Sequence, residues 1–481
     1  MRRVRWAAVA LSGGLVLTGC SGAPDPAPTP SASPTAQPWD QRPVVDLAFD
    51  VDADLSTVRG DERVRFTPDA DVCELVFRSW PNKPGTANAG SSLVVTGVTV
   101  DGDAVDAVDA VDERAGAPES APAGTLLRVP VPGCVDAGET VVAEIGFVLR
   151  LGEDVDERIG RSSAGDAAWF AGAFPLLGWE RGRGWDETPA VAVAGEMAAS
   201  EEFRLASLRV TADSALHVQG TGEPVGRRVD GDRATTEFAA PAVRDVAVHV
   251  GDHEVLQFEA AGTTFHVAAP RNRSGAPLEE WRDALTESTE SLVDLLGPVP
   301  YDHLWVTLVP SDSSGIEFPG AMQFGDVDPG RRRSLLTHEL AHMWFYALVG
   351  NDQGRDPWLD ESLATFAQVV ADGQDASLTD LPARTLGEVG RPIAWFTRYR
   401  NPSTAYYERV YTAGGAALVE ARERVGAERF DEALNGYVRE NAHTIATPAD
   451  FVDAFADLPE VLSVLREVGA LDGAADDPSG P

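Results

Sequence analysis

The chain has 481 residues, 43% of them hydrophobic, which is enough length and apolar content for two or three domains with buried cores. A formal net charge of −37 excludes nucleic acid as a natural partner, because contact with a phosphate backbone needs a basic surface. Nearly all of the cations are arginine, and Lys83 is the lone lysine.

Arg2, Arg3 and Arg5 open the chain with positive charge, and Ala7 to Leu17 is a short apolar run. Such a run is too short to span a bilayer comfortably and reads as an export signal. Leu17-Thr18-Gly19-Cys20 resembles the bacterial lipobox, which implies removal of residues 1–19 and a lipid on Cys20. The chain is therefore expected to be exported and anchored through that lipid on the outer face of the bacterial cell membrane. An ordinary secretory peptide with an incidental cysteine is the alternative. Residues 20–41 are rich in Pro, Ala, Ser and Thr, as in Pro28-Thr29-Pro30-Ser31, and read as a semi-extended tether.

From 42 to 270 the pattern is that of a β-domain. Val45 to Val51, Glu62 to Phe66, Leu75 to Phe77, Leu127 to Val129 and Val141 to Phe147 alternate apolar and polar residues, with Gly, Pro and Asp turns between them. Leu208 to Val210, Val246 to Val250 and Phe265 to Val267 continue the series, which predicts a β-sandwich or saddle-shaped sheet. Ala104 to Ala117 is a low-complexity insert of Ala, Val and Asp, read as a surface loop. Cys73 and Cys134 fall in this domain, and an oxidising exterior favours a disulfide between them, stabilising by about 4 kcal/mol through loop closure. Two free buried thiols are the alternative. His249 and His266 lie within strands and read as structural or surface residues.

The period changes after Pro277. Leu278 to Leu296 is predicted to be an amphipathic helix and His303 to Val309 a buried strand. Arg331 to Val349 then reads as one helix, stopped by Gly350-Asn351. It carries His338-Glu339-Leu340-Ala341-His342, whose histidines, four residues apart, project from one helical face and can share a metal ion. Asp356-Pro357 opens a second helix running to about Ala371, and Glu361 in its first turn supplies a third ligand. One Zn2+ held by His338, His342 and Glu361 keeps an open position for water, the arrangement of a catalytic site, and Glu339 is the base beside it. Gly414 to Arg424, Ala427 to Asn441 and Pro448 to Phe455 are helical in period, and 471–481 is expected to be a disordered tail.

His338-Glu339-Leu340-Ala341-His342-Met343-Trp344-Phe345 and Trp358-Leu359-Asp360-Glu361-Ser362-Leu363-Ala364-Thr365 together resemble the aminopeptidase N family of gluzincin metallopeptidases. Leu75 to Asn82 and Val243-Arg244-Asp245 are weaker echoes of that family's β-saddle. The resemblance implies an α+β multidomain fold, with a mainly helical, thermolysin-like zinc peptidase domain over 271–470. It further implies that Ser314-Gly315-Ile316-Glu317, with Ser in place of Gly and Ile in place of Met, is the counterpart of the family's Gly-x-Met-Glu segment for the substrate's free amine, with Gly315 and Glu317 substrate-binding. Gly320-Ala321-Met322-Gln323 is closer in letters but lacks the carboxylate that an ammonium calls for. Tyr411-Thr412-Ala413-Gly414 matches the segment whose tyrosine donates to the oxyanion, with Tyr406 and Tyr407 as nearby competitors.

Asp360 and Ser362 replace the family's usual Asn and Gly beside the glutamate ligand. A second amine-binding residue is not legible in the apolar stretch from Ala168 to Trp179. The expected activity is removal of N-terminal residues from peptide substrates. The alternatives are a zinc endopeptidase and a surface binding protein with an idle metal site.

Overall fold

The computed structural model describes residues 36–106, 108–109, 124–155, 158–188, 190–195, 197, 201–310, 315–374 and 387–471. The export signal, Cys20, most of the tether and residues 472–481 lie outside them. Within the tether, Ala36 donates its amide to the Arg439 carbonyl and Trp39 lies under the Arg181 guanidinium, so residues 36–41 pack onto the body instead of extending from it. No helix among the described residues is long and apolar enough to cross a membrane.

The N-terminal region is built on an eight-stranded sheet. Its order is Glu223–Asp230, Arg233–Val243, Phe203–Asp213, Val44–Val51, Thr57–Phe66, Val141–Arg150, Ser92–Val100 and Asp103–Ala104. Strict alternation fixes which face is inward: Val45, Leu47, Phe49 and Val51 are buried along the first strand, with more exposed residues between them. Two smaller sheets pack nearby. In one, Val72–Arg78 and Leu126–Val135 pair antiparallel and carry the Cys73–Cys134 disulfide, so the two thiols are joined. The insert from Ala104 to Ala117 falls mostly outside the described residues, although Val108–Asp109 adds a short edge strand there.

The boundary between the two regions falls earlier than 270. The hairpin His253–Ala260 and Thr263–Pro270 belongs to a five-stranded sheet with His303–Val309, Ala321–Gly325 and the edge strand Gly315–Phe318. Thr264 to Ala268 pair in parallel with His303 to Thr307, which joins the hairpin to the second region. A period of two identifies a strand but not the sheet that receives it, so the division at 270 splits one sheet.

The two faces of that sheet differ. Phe265, Val267, Leu304, Val306, Met322 and Phe324 are buried, and Phe324 meets Trp281 of the helix Leu278–Leu296. That helix has the predicted bounds, and its Leu278, Trp281, Leu285, Leu292 and Leu296 are buried, each contributing about 1.5–3 kcal/mol. The alternate residues His266, Trp305, Thr307 and Gln323 face the N-terminal region across a polar seam. There Thr307 donates to the side-chain amide oxygen of Gln219 (2.5 Å), and Trp305 donates to the Gly222 backbone carbonyl (2.8 Å).

The helices Gly414–Val425, Ala427–Asn441 and Pro448–Ala454 lie within a residue of prediction, and Pro459–Glu467 is a further one. The helix expected over Arg331 to Val349 is shorter. It runs from Arg333 to Ala341, and the chain then coils through wider turns in which the Ala347, Leu348 and Val349 amides donate to carbonyls five residues back. Tyr346 reverses the chain at φ 90°. Met343 through Ala347 are all buried, so apolar spacing persisted without a solvent face to mark where the helix ended.

Candidate active site

His338 lies in the last turn of the helix Arg333–Ala341, and His342 caps that helix. Glu361 enters from the first turn of the helix Trp358–Ala371. The three donor atoms converge on one point: His338 Nε2 and His342 Nε2 are 3.2 Å apart, and Glu361 Oε2 lies 3.4 Å from the first and 3.5 Å from the second. Ligands bonded to zinc at about 2.0–2.2 Å at tetrahedral angles stand about 3.3–3.6 Å from each other. The residues therefore fit a tetrahedral ion with one position left open.

The electrostatics fit as well. Burial opposes a charge on His342, yet the carboxylates of Glu317, Asp360 and Glu361 outweigh it and hold that imidazolium well above its ordinary range. On His338, burial, aided by the neighbouring His342, pushes the proton off. A buried pocket with several carboxylates and two imidazoles is short of positive charge, which a divalent cation supplies.

Asp360 and Ser362 each have a structural task. Asp360 Oδ1 lies 2.7 Å from His342 Nδ1, and Gln353 donates to its other oxygen (2.9 Å). That bond holds the proton on Nδ1 and turns the Nε2 lone pair toward the metal position. Ser362 donates to the Val410 carbonyl (2.6 Å), one residue before Tyr411, and a Cβ at Gly414 would come within 2.1 Å of the serine oxygen. Serine and glycine together pin the π-helical turn Tyr407–Ala413 against the ligand helix. Gln353 was not foreseen, and no sequence signal marks it, because its place is set by the coil after His342.

Tyr411 donates from its hydroxyl to Glu361 and stacks on His338 with ring centroids 5.7 Å apart. Of its competitors, Tyr406 is buried with its edge toward Phe396, and Tyr407 is largely exposed.

Glu339, Glu317 and His342 form a second convergent group, their polar atoms lying within 4.8 Å of one another. All three are buried. Glu317 sits on the edge strand Gly315–Phe318 opposite Met322, whereas Gln323 is turned into the seam, 3.3 Å from His249. Gly315 is required by space: a Cβ there would lie 2.4 Å from Glu339 Oε1. The strand Ala167–Ala171 is wholly buried. Near the edge strand the N-terminal region places Arg158, whose guanidinium lies over the rings of Trp80 (4.3 Å) and Phe318 (5.3 Å) and 3.9 Å from Asp245. Burial, against the pull of Arg158, raises the Asp245 carboxyl to about 6.

Residues 328–468 match the family model described as the Peptidase family M1 domain. This part of the chain is similar to the peptidase family M1 domain. The matched stretch holds every proposed metal ligand, together with Glu339 and Tyr411, while Glu317 precedes it. Aminopeptidase M1-D of Oryza sativa subsp. japonica is 27% identical over 128 residues, which are 24% of this chain and 14% of that protein. Aminopeptidase N of Haemonchus contortus is 24% identical over 149 residues, 28% of this chain and 15% of its own length. The matched stretches are thus a small part of these relatives. Over nearly the whole chain, the fold is that of the M1 zinc metallopeptidase from Deinococcus radiodurans, with a TM-score of 0.64, 19% identity, and coverage of 91% of this chain and 96% of that one. The resemblance to aminopeptidase N-like gluzincins and the α+β two-region architecture therefore hold.

Proposed function

We propose that this chain is a zinc-dependent peptidase that removes N-terminal residues from peptides. The observation that carries this reading is the convergence of His338, His342 and Glu361 at tetrahedral spacing, with buried Glu339 and Glu317 beside them. The similar Deinococcus radiodurans fold includes a mutant crystallised with a Tyr-Ser-Ala substrate, which supports a short peptide as the ligand class.

Held by His338, His342 and Glu361, zinc would supply a Lewis acid for the scissile carbonyl and would lower the pKa of the attacking water. Glu339 takes the proton from that water and later delivers it to the departing amine. Gly315 leaves the room its carboxylate needs. Tyr411, held beside the ligand shell, donates its hydroxyl to the developing oxyanion while remaining neutral. Glu317 pairs with the substrate's α-ammonium, which sets the register so that the first peptide bond reaches the metal. Asp360 and Gln353 act through His342 as positioning residues. The lipobox at Cys20 supports a site of action outside the cell, on a lipid anchor; Cys20→Ala should release the protein from membranes, and unchanged retention would remove the anchor from the account.

A matched pair of fluorogenic peptides, one with a free N-terminus and one N-acetylated, tests the activity. The free form should be cleaved and the blocked form spared. Equal cleavage of both would make the chain an endopeptidase.

A further inference from the structure

Among the described residues, the large hydrophobic side chains left exposed are four valines on strands of the sheets, Val94, Val225, Val229 and Val255, and one aromatic ring, Tyr407. That ring stands beside Tyr411. We propose that Tyr407 is a specificity-determining residue, an aromatic platform for a large apolar or aromatic side chain on the substrate residue that follows the scissile bond. The proposal rests on the peptidase reading and adds to it which part of the peptide, besides its amine, the cleft selects.

The wide turn Tyr407–Ala413 sets the ring in place. Hydrogen bonds that span five residues enlarge a helical turn, and side chains lean toward the helix N-terminus, so the residues four and five before Tyr411 both reach its ring. Tyr406 meets Tyr411 edge-on at 5.6 Å between centroids, and Tyr407 meets it tilted by 31° at 4.9 Å. Tyr411 in turn stacks on His338 at 5.7 Å. These spacings fall in the range that aromatic pairs prefer, so His338, Tyr411 and Tyr407 form a ladder of rings from a metal ligand out to solvent. The inner part of the ladder is fixed, because Tyr411 donates to Glu361 and Tyr406 packs on Phe396 at 5.4 Å. The outer ring, Tyr407, is 58% exposed.

The order of the groups gives the platform its direction. Glu317 gathers with Glu339 and His342, whereas Tyr411 stacks on His338. A peptide whose ammonium pairs with Glu317 and whose first carbonyl reaches the metal position therefore continues past His338 and Tyr411. Its second side chain arrives at Tyr407. The charges along the turn suit an apolar residue there. Arg409 is taken up by Glu388 (2.9 Å), by Glu408 (3.8 Å) and by the Tyr399 ring (4.5 Å), so it does not offer a free cation to an acidic side chain. An uncharged ring is matched best by another ring or by aliphatic surface.

The test measures binding apart from turnover. In zinc-loaded, full-length Glu339→Gln protein, calorimetry should find Ala-Phe-amide bound about 3–10-fold more tightly than Ala-Gly-amide, the range expected of one aromatic contact. Adding Tyr407→Ala should bring the two ligands level, and Tyr407→Phe, which keeps the ring, should preserve the difference. The ratio of affinities for Phe-Ala-amide and Gly-Ala-amide should be the same with and without Tyr407→Ala. With Glu339 intact, Tyr407→Ala should raise KM for Ala-Phe-amide by the same factor and change kcat little. No difference between Ala-Phe-amide and Ala-Gly-amide in the parent protein overturns the proposal. So does a difference that survives Tyr407→Ala, a loss confined to kcat, or a shift in the Phe-Ala-amide ratio instead. Binding that follows the expected pattern, with none of the four amides hydrolysed by wild type, would leave the platform in place and count against the peptidase reading.

Discussion

In the cleft, two imidazoles face carboxylates; in the seam, imidazoles face an indole, an amide and one another. His342 is held by Asp360 and lies close to Glu317 and Glu361, which favour its charged form, while burial drives His249, beside Gln323, down to about 3. The same side chain thus becomes a poised ligand or a neutral packing element according to how many carboxylates surround it. The cleft spends its buried charge on chemistry. The seam uses neutral polar groups to register two sheets.

Substitutions can break that contrast at the cleft, and the largest effect is expected at the base. Glu339→Gln keeps the shape of the side chain but cannot accept a proton, so kcat should fall about 10²–10⁴-fold with zinc content unchanged. Near-normal turnover in that variant would remove Glu339 from its role. Tyr411→Phe removes one oxyanion donor, and kcat should drop about 10²–10³-fold with little change in KM. A change confined to KM would assign the tyrosine to binding instead.

Positioning effects should be smaller. Asp360→Ala leaves the His342 ring unoriented, and zinc affinity, read by competition with a chromophoric chelator, should weaken about 10–100-fold. Unaltered affinity would mean that the coil after His342 alone sets the ring. Glu317→Ala should raise KM for free peptides about tenfold, in line with loss of one charge-assisted bond, and leave blocked peptides unaffected. If both substrates suffer equally, Glu317 does not read the amine.

The seam offers the mildest probe. His249 and His253 have pKa values of about 3 and 4 in the folded chain, against an ordinary 6.5, so the unfolded chain binds more protons between those limits. Their contribution to stability is therefore full above about pH 6.5 and declines as pH falls toward 4 and 3. His249→Gln should flatten the acid slope of the melting temperature. An identical slope would show that these imidazoles do not control it.

Much of the cleft was legible in the sequence because its ligands are local: two histidines one helical turn apart, and a glutamate in the first turn of the next helix. The single-element features also followed from period, as the bounds of Leu278–Leu296 illustrate. What escaped was tertiary. The hairpin from His253 to Pro270 alternates as any strand does, and only its parallel pairing with His303 to Thr307 places it in the second sheet. The coil after Ala341 stayed apolar because Met343 to Ala347 are all buried, and Gln353 reaches Asp360 through a turn that no motif announces. His253 and His217, 36 residues apart, meet only because Gly251 leaves a notch between their strands.

The most direct measurement is hydrolysis of an unblocked peptide by the wild-type chain, stripped of metal and then given zinc. Turnover should vanish on stripping and return with zinc, and Glu361→Ala should not recover. Hydrolysis that survives removal of the metal, or folded, zinc-loaded protein inert toward every free-amine peptide tried, would contradict the account.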